Sequence, residues 1–550
     1  MAQDTGPADV AIVGSGPVGL SLGLALADAG LDVVLIESGL DRADADRQAL
    51  TDAEKIAGDR HAPMALATRR AFGGTSHVWG GRCVPFDTQD FAARAHLAEA
   101  RWPIGIDDIA PFIAPACAFL GCGRPVFAAP WPRAHQNAGG LRLDRLERWC
   151  SDPNMRRVHG ARALAHPKLQ VKLGTTALKL AVDPVDGRAV RLDIERAGER
   201  QALAARAFVV AGGGLETARL LLASRAEAPN LFGGADGALG RFYMGHLFGT
   251  IADIVFATPR DDRAFDFMRD VDGTYIRRRI TLDAATQSAH GLLNLVAWPE
   301  PPALYDHRHG SGVLSLAYLA LATPGLGSRL MVEAIRRRKL GDGPPAIAAH
   351  LANVMRDIFG SAAFALSFLK RRYLDAVRLP GFFVPNAAGR HAFHFHAEQR
   401  PDAASRVRLG DTRDALGQPR LVVEHRFNRG DAESVVASHE LIAARLAECG
   451  LARLDFTIAP EARVDAVLAQ VGDGFHQIGT ARMAADPREG VVDGHCRVHG
   501  SANLFVVGSA VFPTSSQANP TLLAVALSAR LGAHLRSSFL DLPAKPIVLG

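Results

Sequence analysis

The stretch ADVAIVGSGPVGLSLGLALADAGLDVVLIESG, residues 8–39, constrains this chain more than any other. Asp9 to Val13 read as a short apolar strand and Gly19 to Ala29 as a helix of small and apolar residues. Gly14-Ser15-Gly16-Pro17-Val18-Gly19 is then the turn between them. Gly14 permits the tight bend, Gly16 lets a pyrophosphate approach the backbone, and Gly19 lets the helix pack on the strand. With Pro17 and Val18 the turn leads into a helix N-terminus, whose unpaired N–H groups and partial positive charge suit phosphate. A second strand, Asp32 to Ile36, ends at Glu37, about where a carboxylate bonds adenosine ribose hydroxyls. The unit predicts a bound dinucleotide. Its acid disfavours NADP and leaves NAD and FAD open.

Three further segments decide between these two. They are FGGTSHVWGGR (Phe72 to Arg82), FVVAGGGLETARLLLAS (Phe208 to Ser224), and a C-terminal block running from GFHQIGTARM to NLFVVGSAVFPTSSQANPTLLAVALSARLG. With the N-terminal turn they resemble, in order along the whole chain, the glucose-methanol-choline (GMC) flavoprotein oxidoreductases. The resemblance implies FAD. It sets Gly73, Gly74, Thr75 and Ser76 along the flavin, with Trp79 and Gly81 nearby. It assigns the strand end at Ala211 and Gly212 to the nucleotide, and Gly508 and Ser509 to the ribityl-pyrophosphate part. Asn519, Pro520 and Thr521 resemble the start of the helix beside the isoalloxazine. Residues alone support that last point, since Pro stands near the start of an apolar helical run where its missing N–H costs nothing.

His476 and Asn519 match the family's two active-site positions. Oxidation of an alcohol needs the hydroxyl proton removed as hydride leaves the carbon. A histidine, with an ordinary pKa of about 6.5, suits that proton step. Asn519 cannot titrate and is expected to position the substrate oxygen. His77 lies in the Gly-rich loop, where some sugar-oxidising relatives attach FAD covalently. Noncovalent FAD is the expectation here, with a link through His77 left open. His394 and His396 alternate along an expected strand and share one face, as pocket-lining or packing residues. His246 is expected to be structural, and no metal site is expected.

At 550 residues the chain holds a large α/β unit plus a second domain. The expected fold is α/β, a Rossmann-like FAD-binding domain joined to an α+β substrate domain whose sheet roofs the flavin. The FAD-binding domain is discontinuous: residues 1–240, with a β-meander at about 170–207, and residues 466–550 flank a substrate domain at 241–465. Strand-like stretches at Thr250 to Phe256, Arg406 to Leu409 and Leu421 to His425 are assigned to the latter. The net charge of +5 is small, and no nucleic-acid fold signature accompanies its basic runs. Six scattered cysteines, no leader-like N-terminus and no long apolar run make a cytoplasmic enzyme the expectation. The apolar-then-basic region 313–340 reads as a buried helix followed by a solvated one, or as a surface that docks to a membrane or partner. The function expected is FAD-dependent removal of hydride from a CH–OH group of a sugar, glycoside or cyclitol. A sterol, terpenoid or other lipophilic alcohol, and a non-oxidative lyase of the same fold, are the alternatives. The electron acceptor, oxygen or a carrier, and the oligomeric state stay open.

Overall fold

The computed structural model describes residues 7–540 apart from 57–60, 100, 133–138, 235, 259, 331–332, 342, 386–387, 471 and 473. Five strands form a parallel sheet in the order Leu504–Val506, Ala205–Val210, Ala8–Val13, Val33–Ile36 and Leu169–Lys172. Both faces of the centre of such a sheet are covered, so its inner strands are mostly apolar; Val33 to Ile36 are all buried. The helix Pro17–Asp28 follows the first strand. Gly14 takes φ 101°, and a Cβ at Gly19 would stand 1.9 Å from the Gly14 carbonyl oxygen. Both positions therefore require glycine. The C-terminal helix Thr521–Leu540 crosses back onto Pro17–Asp28, where Ser528 Oγ donates to the Val18 carbonyl at 2.9 Å. The two ends of the chain thus build one layer. An antiparallel meander of Thr175–Val182, Ala189–Arg196 and Glu199–Leu203 leads into the central part of that sheet.

A second sheet has six antiparallel strands: Ala452–Phe456, His246–Phe256, Arg390–Glu398, Leu295–Glu300, Ile280–Leu282 and Leu141–Arg142. Period-two alternation divides its faces. Phe393 and Phe395 turn toward the helix Arg429–Glu448, with the His439 ring against both. The opposite face presents His394, opposite Trp298, and His396, opposite Phe248. The two histidines therefore share one face.

Of the strand-like stretches assigned to the substrate domain, Thr250 to Phe256 lies in this sheet and the other two pair elsewhere. Arg406–Arg413 and Pro419–Glu424 form a hairpin that pairs in parallel with Glu54–Ile56 and packs through Val407 and Leu421 on Leu215 and Ala218. The partner strand comes from the far end of the chain, which local periodicity cannot show. A four-stranded sheet of Met268–Arg269, Tyr275–Arg278, Leu146–Trp149 and Arg82–Cys83 closes one side of the molecule. Between Leu295–Glu300 and Arg390–Glu398 the chain makes a helical excursion. Region 313–340 falls within it: Gly312–Ala322 buries Leu314, Tyr318 and Leu321, and Pro324-Gly325 separates it from Leu326–Leu330 and Glu333–Leu340. Among the described residues, no helix is long and apolar enough to cross a membrane.

Candidate active site

A cavity of about 610 Å³ lies where these layers meet, within the size range of small-molecule sites. Gly14, Gly16, Pro17, Val18 and Glu37 line its nucleotide side. Gly74, Thr75, Ser76, Trp79, Ala211, Gly212, Gly508 and Ser509 continue the lining toward His476, Asn519, Pro520 and Thr521. Gly19, Gly73 and Gly81 are not part of the wall: Gly73 backs onto Arg156 and Gly81 onto Pro153. Two helices, Pro17–Asp28 and Gly213–Ser224, begin at this wall after Gly16 and Gly212, and neither has a side-chain cap. Apart from the Leu215 N–H, which donates to Gln477 Oε1 at 3.3 Å, and Pro17, which has none, their first-turn N–H groups can serve a diphosphate. Glu37 is held at its strand end by the Gly39 N–H at 2.7 Å and by the Ser15 hydroxyl at 2.6 Å. Burial raises its pKa. A nucleotide with a diphosphate fits this donor set.

The reaction side is built from elements far apart in sequence. Asn519 Nδ2 donates to His476 Nε2 at 3.0 Å. His476 Nδ1 lies 2.8 Å from His246 Nδ1, and His246 Nε2 lies 3.1 Å from the Ser515 carbonyl oxygen. A carbonyl only accepts, so His246 Nε2 carries the proton and its Nδ1 is an acceptor. His476 must then carry its proton on Nδ1, leaving the Nε2 lone pair toward Asn519. The chain of bonds assigns the tautomer that a general base needs. Burial, with His246 and Arg82 nearby, holds the His476 pKa well below its ordinary value, and burial lowers that of His246 to about 4. Both rings are neutral at pH 7. Asn519 Oδ1 is buried with no hydrogen-bond partner among the described residues.

His396 joins the same group. It stacks on His246 at 4.2 Å between ring centroids and donates from Nδ1 to the Gln517 carbonyl at 2.7 Å. His246, His396 and His476 bring ligand nitrogens within 4.8 Å of one another. No spacing in the sequence announces this convergence. The 2.8 Å contact between two of these nitrogens is a hydrogen bond, and two ligands of one tetrahedral ion cannot approach so closely. His394 instead meets Trp298, at 5.0 Å.

Arg82 and Trp149 also line the cavity and were not singled out by residue pattern. The buried Glu147 carboxylate is shared by Arg82 and Arg277, each at 2.5 Å. The Arg82 guanidinium lies 4.5 Å from the Trp298 ring centroid, and its Nη2 is buried without a hydrogen-bond partner among the described residues. Burial lowers its pKa to about 10, so it stays cationic. The signal was available, because Arg82 closes the quoted loop motif. His77 does not line the cavity; its Nε2 faces the Phe72 carbonyl at 2.7 Å.

Residues 7–55 match an FAD-binding domain family and residues 401–528 the family described as GMC oxidoreductase. The C-terminal part is thus that of a GMC oxidoreductase. The protein is an FAD-dependent oxidoreductase acting on alcohol groups. It is 24% identical to paromamine 6'-oxidase of Streptomyces fradiae over 94% of this chain and 88% of that one. A C-glycoside 3-oxidase of Microbacterium trichothecenolyticum is 31% identical over 24% of each chain. Among solved structures, formate oxidase superposes with a TM-score of 0.55 at 15% identity, covering 98% of this chain and all of that one. Pyridoxine 4-oxidase from Mesorbium loti gives 0.52 at 16% identity, covering 96% and 99%. These structures share the fold of this chain.

Proposed function

We propose that this GMC oxidoreductase oxidises a CH–OH group of a sugar, glycoside or cyclitol, with His476 as base and Asn519 positioning the hydroxyl. The relay from the Ser515 carbonyl through His246 carries this reading, because it leaves the His476 Nε2 lone pair beside the Asn519 amide. A substrate hydroxyl inserted between them donates its hydrogen to Nε2 and accepts from Nδ2. Asn519 Oδ1, otherwise unpartnered, then accepts from a neighbouring hydroxyl. Arg82 Nη2 donates to another substrate oxygen. A polyol offers such adjacent oxygens; a sterol presents a single one. The names of the paromamine and C-glycoside oxidases point the same way.

Gly14, Gly16, Glu37, Gly74, Gly212 and Ser509 are the residues we assign to FAD. Bound there, the flavin supplies the two-electron acceptor for the hydride that leaves the substrate carbon. The protein's own contribution is to hold the alcohol in one orientation, accept its proton at Nε2 and keep the base neutral. We assign noncovalent attachment, since His77 is engaged with the Phe72 carbonyl and turned from the cavity wall. Yellow colour released on acid precipitation tests that assignment. Anaerobic flavin reduction tests the function. Glycosides or cyclitols should bleach the holoprotein, and His476→Ala should abolish the bleaching. Bleaching by sterols alone moves the substrate to the lipophilic class, and bleaching by no alcohol moves the enzyme to the non-oxidative one.

A further inference from the structure

The roofing strands Leu295–Glu300 and Arg390–Glu398 are antiparallel neighbours, which a two-residue turn could join. The chain instead inserts a helical excursion there, and two of its helices, Ile347–Arg356 and Ile358–Leu369, are built inside out. Their buried positions are polar. His350 Nδ1 meets the Ser315 hydroxyl at 3.0 Å, Asn353 Nδ2 donates to the His307 carbonyl at 2.8 Å, and Ser361 is covered. Most of their apolar side chains face water, Phe364 and Phe368 packing inward on Phe382. Ile347, Leu351 and Met355 recur at four-residue spacing on one exposed stripe, and Phe359 is 89% and Leu366 70% accessible. Leu374, just beyond, is 80% accessible. Of the 21 exposed large hydrophobic residues among those described, 11 fall between Leu326 and Leu374. An apolar concentration of this kind marks an interaction surface.

Charge says which kind. Residues 326–378 contain ten Arg and Lys against four Asp and Glu, an excess of six positive charges. The whole chain has an excess of five, so the rest of the molecule is slightly acidic. Arg356 and Lys370 are exposed at the ends of the two apolar helices, and Arg371 and Arg372 follow. We propose that this face docks on an anionic lipid bilayer, the apolar stripe entering the headgroup boundary and the basic groups meeting lipid phosphates. A second copy of the chain is the poorer occupant, because a two-fold interface would press two surfaces of like charge together. The docked face is linked to the site: Phe368, on the inner side of Ile358–Leu369, packs in the cluster of Leu379 and Trp149, and Trp149 lines the cavity. The enzyme would thus work with its substrate cavity held close to a membrane.

The test is co-sedimentation of the full-length holoprotein with vesicles of phosphatidylcholine alone or mixed with phosphatidylglycerol. The wild type should pellet with the mixed vesicles at low salt, remain in solution with phosphatidylcholine, and be released by molar salt. Arg356→Glu with Lys370→Glu should weaken partitioning by roughly thirtyfold or more. Phe359→Ser with Leu366→Ser should abolish it while the flavin spectrum and its anaerobic reduction stay unchanged. A wild type that stays in solution with the mixed vesicles and keeps its flavin spectrum overturns the proposal. So does equal binding to both vesicle types. Concentration-dependent dimerisation without lipid, lost in the Phe359→Ser pair, would assign the face to a second copy instead.

Discussion

His246 Nδ1 and His476 Nδ1 lie 2.8 Å apart, although 230 positions separate them in the chain. Because His246 Nε2 is committed to the Ser515 carbonyl, this one contact selects the His476 tautomer. His246 is therefore a positioning residue. Replacing it with Ala frees His476 to rotate and to take either tautomer. Anaerobic flavin reduction should slow by about tenfold to a hundredfold in His246→Ala, and by about a hundredfold to ten-thousandfold in His476→Ala. The split is diagnostic. His246→Ala should lower the limiting reduction rate with little change in substrate affinity, whereas an equal loss of FAD from the variant would indicate a structural role only.

Acid should destabilise the fold between about pH 6.5 and 4. Burial lowers the pKa of His246 and His439 to about 4 and of His425 to about 3, and holds His396 and His476 well below the ordinary value. In that window the unfolded chain binds more protons, so stability falls as pH falls, by roughly 2 kcal/mol per histidine at pH 5. Buried Asp90 and Asp431, raised to about 7 and about 6, act in the opposite direction and offset part of the loss. Glu37 and Asp266, also raised by burial, add to that offset, and the lowered histidines outweigh the four acids. The Tm of the apoprotein should drop between pH 7 and 5; a flat or rising Tm would contradict these burial effects.

Gly16 and Gly19 should separate cofactor binding from folding. A Cβ on Gly16 meets no protein atom within 4 Å, whereas one on Gly19 strikes the Gly14 carbonyl oxygen. Gly16→Ala should leave the Tm of the apoprotein unchanged and weaken FAD binding at least about tenfold, because the methyl occupies the space the pyrophosphate needs. Gly19→Ala should lower both, with a stability loss of about 1–3 kcal/mol. Titration of each apoprotein with FAD, beside its thermal melt, reads the two effects independently.

Arg82 should govern which substrates the site accepts. In Arg82→Gln, Glu147 keeps its Arg277 partner, so the fold should survive. Loss of a charge-assisted bond to substrate oxygen should raise KM by roughly tenfold with a smaller change in the limiting rate. Removing a buried cation should also favour ammonium-bearing sugars over uncharged ones, relative to the wild type. Unchanged KM and selectivity would confine Arg82 to holding Glu147.

The N-terminal turn was legible because its chemistry is local. Strand, three glycines, helix and Glu37 fall within about thirty residues, and each residue's role follows from its neighbours. The helix at Pro520 and Thr521 was legible for the same reason. The alternation of His394 and His396 correctly put them on one face, yet only His396 reaches His476, because strand register and the stack on His246 decide how far each ring extends. His246 looked structural, since its own segment, GRFYMGHLFG, carries no chemical pattern. The stretches at 406–409 and 421–425, assigned to the substrate domain, find their parallel partner in Glu54–Ile56, and the turn between them reaches the cavity wall at Asp414 and Gln418.

The sequence by itself determined the nucleotide layer and the cofactor and named the candidate base and its partner, because period, turn chemistry and motif order are written in consecutive residues. Only the tertiary structure decided the state of that base. The proton on His476 is set by a carbonyl at Ser515 through a ring at His246, and Arg82, held by Glu147, is a cation on the cavity wall. These relations depend on angles and distances of a few ångströms between segments hundreds of residues apart, and those exist only once the sheets have packed.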